Sequence, residues 1–436
     1  MKAMQILAQC LLLVPALALD CQDGKIRGVN AGGWLLLEPW ITPYLFEEVN
    51  YGDNLDKIVD EYTYAEIVDP DFYKARLKLH WDTFVTKEDF IKVSEAGVTH
   101  VRIPVGYWYW DVEEGEPFPP PNTDDSDDHN PLFYLKRAMV WLDELDMKVE
   151  IDLHAAPGSQ NGFDNSGRRG DIGWVTEEYP EDNYNVVRTI NIIDKIAENM
   201  KRWVDEAVIR QETLYGISLL KEPGGRWDKV WSACKDEFYP LGYEVIRKHF
   251  EDGVVVNLQQ AFRPASDYFG FMPESEGYKS ISVDMHRYQC FGDNWSNIAD
   301  LPESWWTHLD ASCAGYVDNI NATWPTFTGE FSLAVTDCQK YLAGGFVTPY
   351  DPSASDNACK YYNSDWNTYS ASYQKFLRQY FLAQIDAYEY GENGVGWFMW
   401  TMKTENNCAP EWDFIFLLEK GVIPANLCER DTLCDF

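Results

Sequence analysis

Read only for apolar and polar positions, the chain is a series of short hydrophobic runs separated by stretches of helical period. Eight runs have strand length: residues 26–30, 100–104, 149–154, 216–221, 254–257, 282–286, 326–330 and 396–401. Between them, residues 86–96, 132–145, 192–206 and 369–390 repeat apolar positions at helical spacing. Strand-length runs alternating with helices are the βα signature of a parallel sheet covered by helices. Eight such units predict an α/β fold, a single (β/α)₈ TIM barrel with extended loops at its C-terminal face. With 436 residues the chain exceeds the roughly 250 that a bare barrel needs, which leaves room for those loops. There is no internal repeat and no linker, so residues 19–436 are expected to form one domain. Residues 111–130, with Pro119-Pro120-Pro121 and the acidic run Asp124 to Asp128, interrupt the rhythm and predict an exposed, poorly ordered loop. They lack the Gly and terminal Glu spacing of a calcium loop.

The first segment reads differently. Lys2, an apolar core from Ile6 to Val14, and Ala16-Leu17-Ala18 have the form of a signal peptide and its cleavage site, so residues 1–18 are expected to be removed on secretion. No later run approaches the roughly 20 apolar residues of a membrane span. The net charge of −35, from 71 acidic and 36 basic residues, argues against partners such as nucleic acid or an anionic membrane. Nine cysteines follow the presumed signal without the clustered spacing of a zinc site, which suits disulfides and an extracellular or cell-wall location, with at least one thiol left over. Asn294-Trp295-Ser296 and Asn321-Ala322-Thr323 are glycosylation sequons in a secreted chain. The 18 Trp and 26 Tyr serve core packing first; stacking on sugar rings is their functional reading.

Candidate chemistry comes from where polar residues fall. Asn30, Arg102, His154, Glu222, His286, Glu330 and Trp400 lie at the C-terminal ends of predicted strands, the edge where barrels place their active sites. Taken singly, Arg102 would serve as an interior ion-pair partner and His154 as a satisfied core histidine; seven coincidences point to a site. Glu222 and Glu330, at the ends of strands four and seven, supply the two carboxyl groups that glycoside hydrolysis requires. Arg102 can orient Glu330, His286 and Tyr288 can hydrogen-bond a carboxylate or sugar hydroxyls, and Trp400 offers a flat face to a pyranose ring. The spacing suggests neither a metal nor a cofactor.

These residues sit in stretches that resemble the fungal exo-β-1,3-glucanases (glucan 1,3-β-glucosidases) of glycoside hydrolase family 5: Arg27-Gly28-Val29-Asn30, Val101-Arg102-Ile103-Pro104, Ile151-Asp152-Leu153-His154 with the block 156–167, His286-Arg287-Tyr288-Gln289, Gly329-Glu330 and Trp397 through Trp400. The resemblance spans nearly the whole mature chain. It implies a secreted, monomeric, retaining enzyme acting on β-glucan, with Glu222 as acid/base and Glu330 as nucleophile. It further implies a pocket of Glu38, Arg102, His154, His286, Tyr288 and Trp400 for the terminal glucose, an aromatic clamp of Phe163 and Phe291, and disulfides joining Cys338 to Cys359 and Cys313 to a C-terminal cysteine, Cys434. Two positions depart from the pattern. Met402 stands where the family has Trp, and Lys221 replaces the Asn that precedes the acid/base and binds the sugar 2-hydroxyl. Lys221 can also donate to sugar, but its charge lowers the pKa of Glu222, against the role of an acid. Two alternatives therefore accompany the hydrolase: a glucan-binding protein with impaired catalysis, and a family-5 β-glucanase or transglucosylase of another linkage.

Overall fold

The computed structural model describes residues 21, 23–291, 302–314, 323–342, 365–390 and 393–434. Eight parallel strands close into a barrel in sequence order: β1 (Ile26–Asn30), β2 (His100–Gly106), β3 (Lys148–Ala155), β4 (Leu214–Ser218), β5 (Val255–Gln259), β6 (Ile281–His286), β7 (Thr326–Glu330) and β8 (Gly394–Met399). All eight predicted runs are strands, because strands covered on both faces read as apolar runs. Helices Lys87–Glu95, Pro131–Glu144, Tyr184–Asp205, Tyr239–His249, Pro302–Ala314 and Ala371–Tyr390 alternate with them; between β5 and β6 the described residues form only short 3₁₀ turns. No helix among the described residues is long and apolar enough to cross a membrane. The presumed signal, the asparagines of both sequons and Cys359 lie outside the described residues.

Only β1 and β7 have the expected limits; the other six strands shift by one to three residues, and two of the shifts bear on the site. β2 runs on to Gly106, so Arg102 sits within the strand rather than at its end. β4 stops at Ser218, yet Leu219 donates its N–H to Asn257 O (3.2 Å) and Lys221 to Leu153 O (2.9 Å), which keeps the chain between its neighbours up to Glu222.

The barrel interior is layered. At its N-terminal end Ile26, Phe327 and Phe398 form a small buried cluster, with His100 edge-on to Tyr215 and Phe398. Gly28 makes room for this plug, since a Cβ there would come within 2.2 Å of the Phe398 ring. Above it the apolar filling common in such barrels gives way to charge. Arg102, fully buried, reaches Glu150 (3.5 Å), Asp152 (3.1 Å), Asp284 (3.5 Å) and Glu330 (3.1 Å). Gly329 gives Asp284 its space, because a Cβ there would lie 2.0 Å from Oδ1. The main apolar core lies outside the sheet, under the helices.

Residues 111–130 correct an expectation. They form no regular strand or helix, but they are anchored: Phe118 stacks on Trp108 at 4.2 Å, and buried Asp125 accepts from Trp203 (2.7 Å), Arg202 (2.6 Å) and Lys136 (2.9 Å). Arg188 ties down Asp111 (2.6 Å) and Glu116 (2.8 Å). Disulfides join Cys313 to Cys434, as expected, and Cys21 to Cys428, fastening both ends of the chain to the barrel. Cys234, Cys290 and Cys408 are free thiols.

Candidate active site

A cleft of about 660 Å³ opens at the C-terminal end of the strands. It is lined by the expected Glu38, Phe163, Lys221, Glu222, His286, Tyr288, Phe291, Glu330 and Trp400. Arg102 and His154 lie beneath it, fully buried. The structure thus brings the whole expected set together. Glu222, His286 and Glu330 each offer an atom within 4.8 Å of the others.

Glu330 is the last residue of β7. A register shift between Met285 and His286 sets it opposite His286 on β6. Arg102 Nη1 donates to its Oε1 at 3.1 Å and the Tyr288 hydroxyl to its Oε2 at 3.0 Å. Arg102 is itself steadied by Asn30 Oδ1 at 2.9 Å, while the Asn30 amide donates to Gly329 O (2.9 Å) and Met399 O (3.1 Å). The inner wall of the site is therefore built from strand residues on a rigid frame.

Glu222 lies beyond β4 with φ +43°, a left-handed backbone that non-glycine residues adopt at a cost of about 1–3 kcal/mol when the surroundings enforce it. Here they do: Gly224 N–H donates to Gln160 O (2.9 Å), and Gly225 passes so close to Ala261 that a Cβ would lie 2.3 Å from its carbonyl oxygen. Two cations hold the carboxylate, Lys221 Nζ at 2.7 Å from Oε2 and His286 Nδ1 at 2.8 Å from Oε1.

The charges follow from these contacts. Burial alone would raise the Glu222 carboxyl, but the Lys221 ammonium and the His286 hydrogen bond outweigh it and hold the group well below the usual carboxylate range. Burial opposes a charge on Lys221, yet Glu222, Glu330 and Glu38 push its ammonium up. Burial likewise opposes protonation of His286, but the Glu330 and Asp284 carboxylates and its bonds to Asp284 (3.3 Å) and Glu222 raise it to about 10, so the ring is an imidazolium. His154 goes the other way: burial and Lys221 lower it against the pull of Asp152, whose Oδ2 lies 2.5 Å from Nδ1. With the proton on Nδ1, His154 Nε2 is left as an acceptor. Burial, reinforced by Asp164 and Glu330 against Lys221, pushes Glu38 up to about 8, so that it is protonated at neutral pH. Glu38 Oε1 and His154 Nε2, 3.9 Å apart, are buried polar atoms without a hydrogen-bond partner among the described residues.

Aromatic rings complete the walls. His154 stacks on Trp400 (5.2 Å, 12°), and Trp40 packs against Trp412 at 4.9 Å while donating to Glu38 Oε2 at 2.9 Å. Phe163 and Phe291 are half-exposed at the rim, each at 43%. Phe163 meets Phe262 edge-on at 6.3 Å, and Phe291 and Tyr288 pack on Trp412. Trp40, Asp164, Arg226, Phe262 and Trp412 line the cleft without having been singled out in the sequence. Asp152 and Asp284 did carry a signal, each lying two residues before a site histidine and so on the same strand face. Glu222, His286 and Glu330 are close enough to share a cation, but a protonated imidazole has no lone pair to give and Lys221 already supplies positive charge. Asp127, Asp128 and His129 form a second close group, within the anchored 111–130 segment.

No family model matches the chain. At 37% identity over 439 residues it is similar to a glucan 1,3-β-glucosidase of Blumeria graminis, covering 97% of this chain and 93% of that protein. It is 35% identical to glucan 1,3-β-glucosidase I/II of Saccharomyces cerevisiae over 418 residues, 93% of this chain and 86% of that one. Among solved structures, a rutinosidase from Aspergillus niger superposes with a TM-score of 0.63 over 93% of this chain and 99% of its own, at 18% identity, a likeness of fold.

Proposed function

The chain belongs to the fungal glucan 1,3-β-glucosidase family of glycoside hydrolases, and from that membership we propose that it is a secreted, monomeric, retaining exo-β-1,3-glucanase that frees glucose from the ends of β-1,3-glucan outside the cell or in its wall. The observation that carries this reading is the pairing of Glu222 and Glu330 across the cleft, with one oxygen of each carboxyl within 4.8 Å of the other. Retaining enzymes hold their carboxyls about 5–5.5 Å apart, and inverting ones about 6.5–9.5 Å to admit a water. The short separation supports direct attack by one carboxylate.

Glu330 is the nucleophile. Arg102 and Tyr288 aim it and stabilise its charge, so it attacks the anomeric carbon as a carboxylate. Glu222 is the acid/base, and Lys221 and His286 set its charge. Glu38 Oε1 and His154 Nε2, buried without partners, meet the hydroxyls of the terminal glucose, Trp400 lies against its ring, and Phe163 and Phe291 clamp the next sugar. Glucose release from laminarin by the wild type, with none from Glu330→Gln, is the expected result; a panel of β-1,3-, β-1,4- and β-1,6-glucans reads the linkage.

One observation favours a second reading, a glucan-binding protein with impaired turnover: the Lys221–Glu222 ion pair, which disarms the acid. Laminarin binding without glucose release by the wild type, restored in Lys221→Asn, would establish it. Brisk wild-type turnover that Lys221→Asn leaves unchanged or lowers would eliminate it.

A further inference from the structure

Both oxygens of Glu222 are already engaged as acceptors. Lys221 Nζ stands 2.7 Å from Oε2 and His286 Nδ1 2.8 Å from Oε1. A proton on either oxygen would have to take a remaining lone pair with a cation 2.8 Å or less from each oxygen, so the neutral acid forms only by giving up the charge-assisted bonding to both. Neither cation is free to leave. Lys221 is 2% exposed, and its backbone is fixed by N–H donation to Leu153 O and by Gln160 Nε2 donating to its carbonyl at 2.9 Å. His286 is held on its far side by Asp284 and lies 3.3 Å from Glu330 Oε2. The other ionisable groups of the cleft wall are Glu38, Asp164, Arg169, Arg226, Tyr288 and Glu330. Glu330, Asp164 and Glu38, where ionised, favour keeping the cations charged.

A departing sugar hydroxyl needs a proton, and a positioned acid contributes about 10²–10⁴-fold to that step. A phenol leaves as phenolate without one. At the rim the half-exposed rings of Phe163 and Phe291, together with Phe262 under the Arg226 guanidinium (4.9 Å), offer flat apolar faces that suit a planar aromatic aglycone. We propose that Lys221, by capping Glu222, directs this site to β-glucosides with acidic, phenolic leaving groups. The inference rests on the double-displacement reading above. In the first step a Glu330 oxygen bonds to C1 while the C1–O bond breaks, its electron pair leaving with the phenolate, which takes a proton from solvent. In the second, a water oxygen bonds to C1 as the bond to Glu330 breaks, and the proton that this water loses passes directly to solvent, with Glu222 ionised throughout.

The test is the wild-type dependence of kcat/KM on phenol acidity across a series of aryl β-glucosides, with laminaribiose as the sugar-leaving substrate. A steep fall with weaker phenols is expected, with laminaribiose at least about 100-fold below the most reactive glucoside. Lys221→Asn should flatten the slope and raise laminaribiose turnover about tenfold or more, as a recovered acid would. A flat wild-type dependence with laminaribiose turned over as well as the aryl glucosides overturns the proposal. Because that slope is read on the wild type, a variant that misfolds does not remove the test. Activity surviving in Glu330→Gln would overturn the nucleophile assignment and this inference with it, whereas a flat slope beside an inactive Glu330→Gln overturns this inference alone.

Discussion

Glu330 and Glu222 face each other across one cleft, yet they are held by opposite means. Glu330 ends a barrel strand, and its donors Arg102 and Tyr288 come from β2 and from just beyond β6. Its position is a consequence of the sheet. Glu222 sits past the end of β4 on a left-handed turn, and its immediate partner is the side chain of the preceding residue. Its position depends on loop packing, and its charge on one neighbour. The barrel thus holds one carboxyl by architecture, while a single neighbouring side chain sets the charge of the other.

The largest effect expected of this asymmetry is at the strand-borne carboxyl. Glu330→Gln should lower kcat by about 10⁴-fold or more on sugar-leaving and aryl substrates alike, because it removes the proposed nucleophile at nearly constant shape. Glu222→Gln should cost far less in the first step with an activated aryl glucoside; equal losses would erase the contrast. The frame behind Glu330 can be broken next. Arg102→Met leaves Glu150, Asp152, Asp284 and Glu330 without their shared counter-ion, and urea unfolding should show a loss of about 3–5 kcal/mol.

The buried carboxyls also give stability a pH slope. Burial pushes Glu38, Glu61 and Glu150 up to about 8 and Asp164 and Glu411 to about 7. Near neutral pH the native state therefore binds protons that the unfolded chain has lost, and stability falls as pH rises through these values. His286, raised to about 10, adds to the fall above its unfolded value of 6.5. His80 and His308, lowered to about 4, and His100, to about 3, act in the opposite sense, but only below about 6.5. Thermal unfolding should accordingly show a lower Tm at pH 8 than at pH 6.5; a rising Tm would contradict these assignments. The smallest effect belongs to the rim. Phe163→Ala should raise KM by about tenfold or less with kcat little changed, since it removes about 1 kcal/mol of stacking outside the reacting centre.

The contrast also explains what could be read from the sequence. All eight strands were legible, and with them Glu330, His154 and His286, because a buried parallel strand shows its apolar run and its end in one short segment. The family resemblance, rather than any local pattern, implied Glu38, Phe163 and Phe291. Arg102 was read one layer too high, since nothing local marks where β2 ends, and the charge cluster around it depends on register among four strands. Trp412, Phe262 and Asp164 reach the cleft through loops whose course is fixed by tertiary contact. The 111–130 segment misled for the same reason: its acidic composition signals solvent, but Asp125 finds Trp203 and Arg202 on a helix more than 70 residues away. The effect of Lys221 was legible in sign, because a cation beside a carboxyl lowers its pKa wherever the two meet. Its reach to Glu222 Oε2, and the second cap by His286, required the fold.

The central claim is that Glu330 attacks the sugar directly and Glu222 assists from the other side. The anomer first released decides it. ¹H NMR of the early products from a laminari-oligosaccharide or an aryl β-glucoside should show β-glucose, appearing before mutarotation supplies the α form. α-Glucose as the first product would contradict the account.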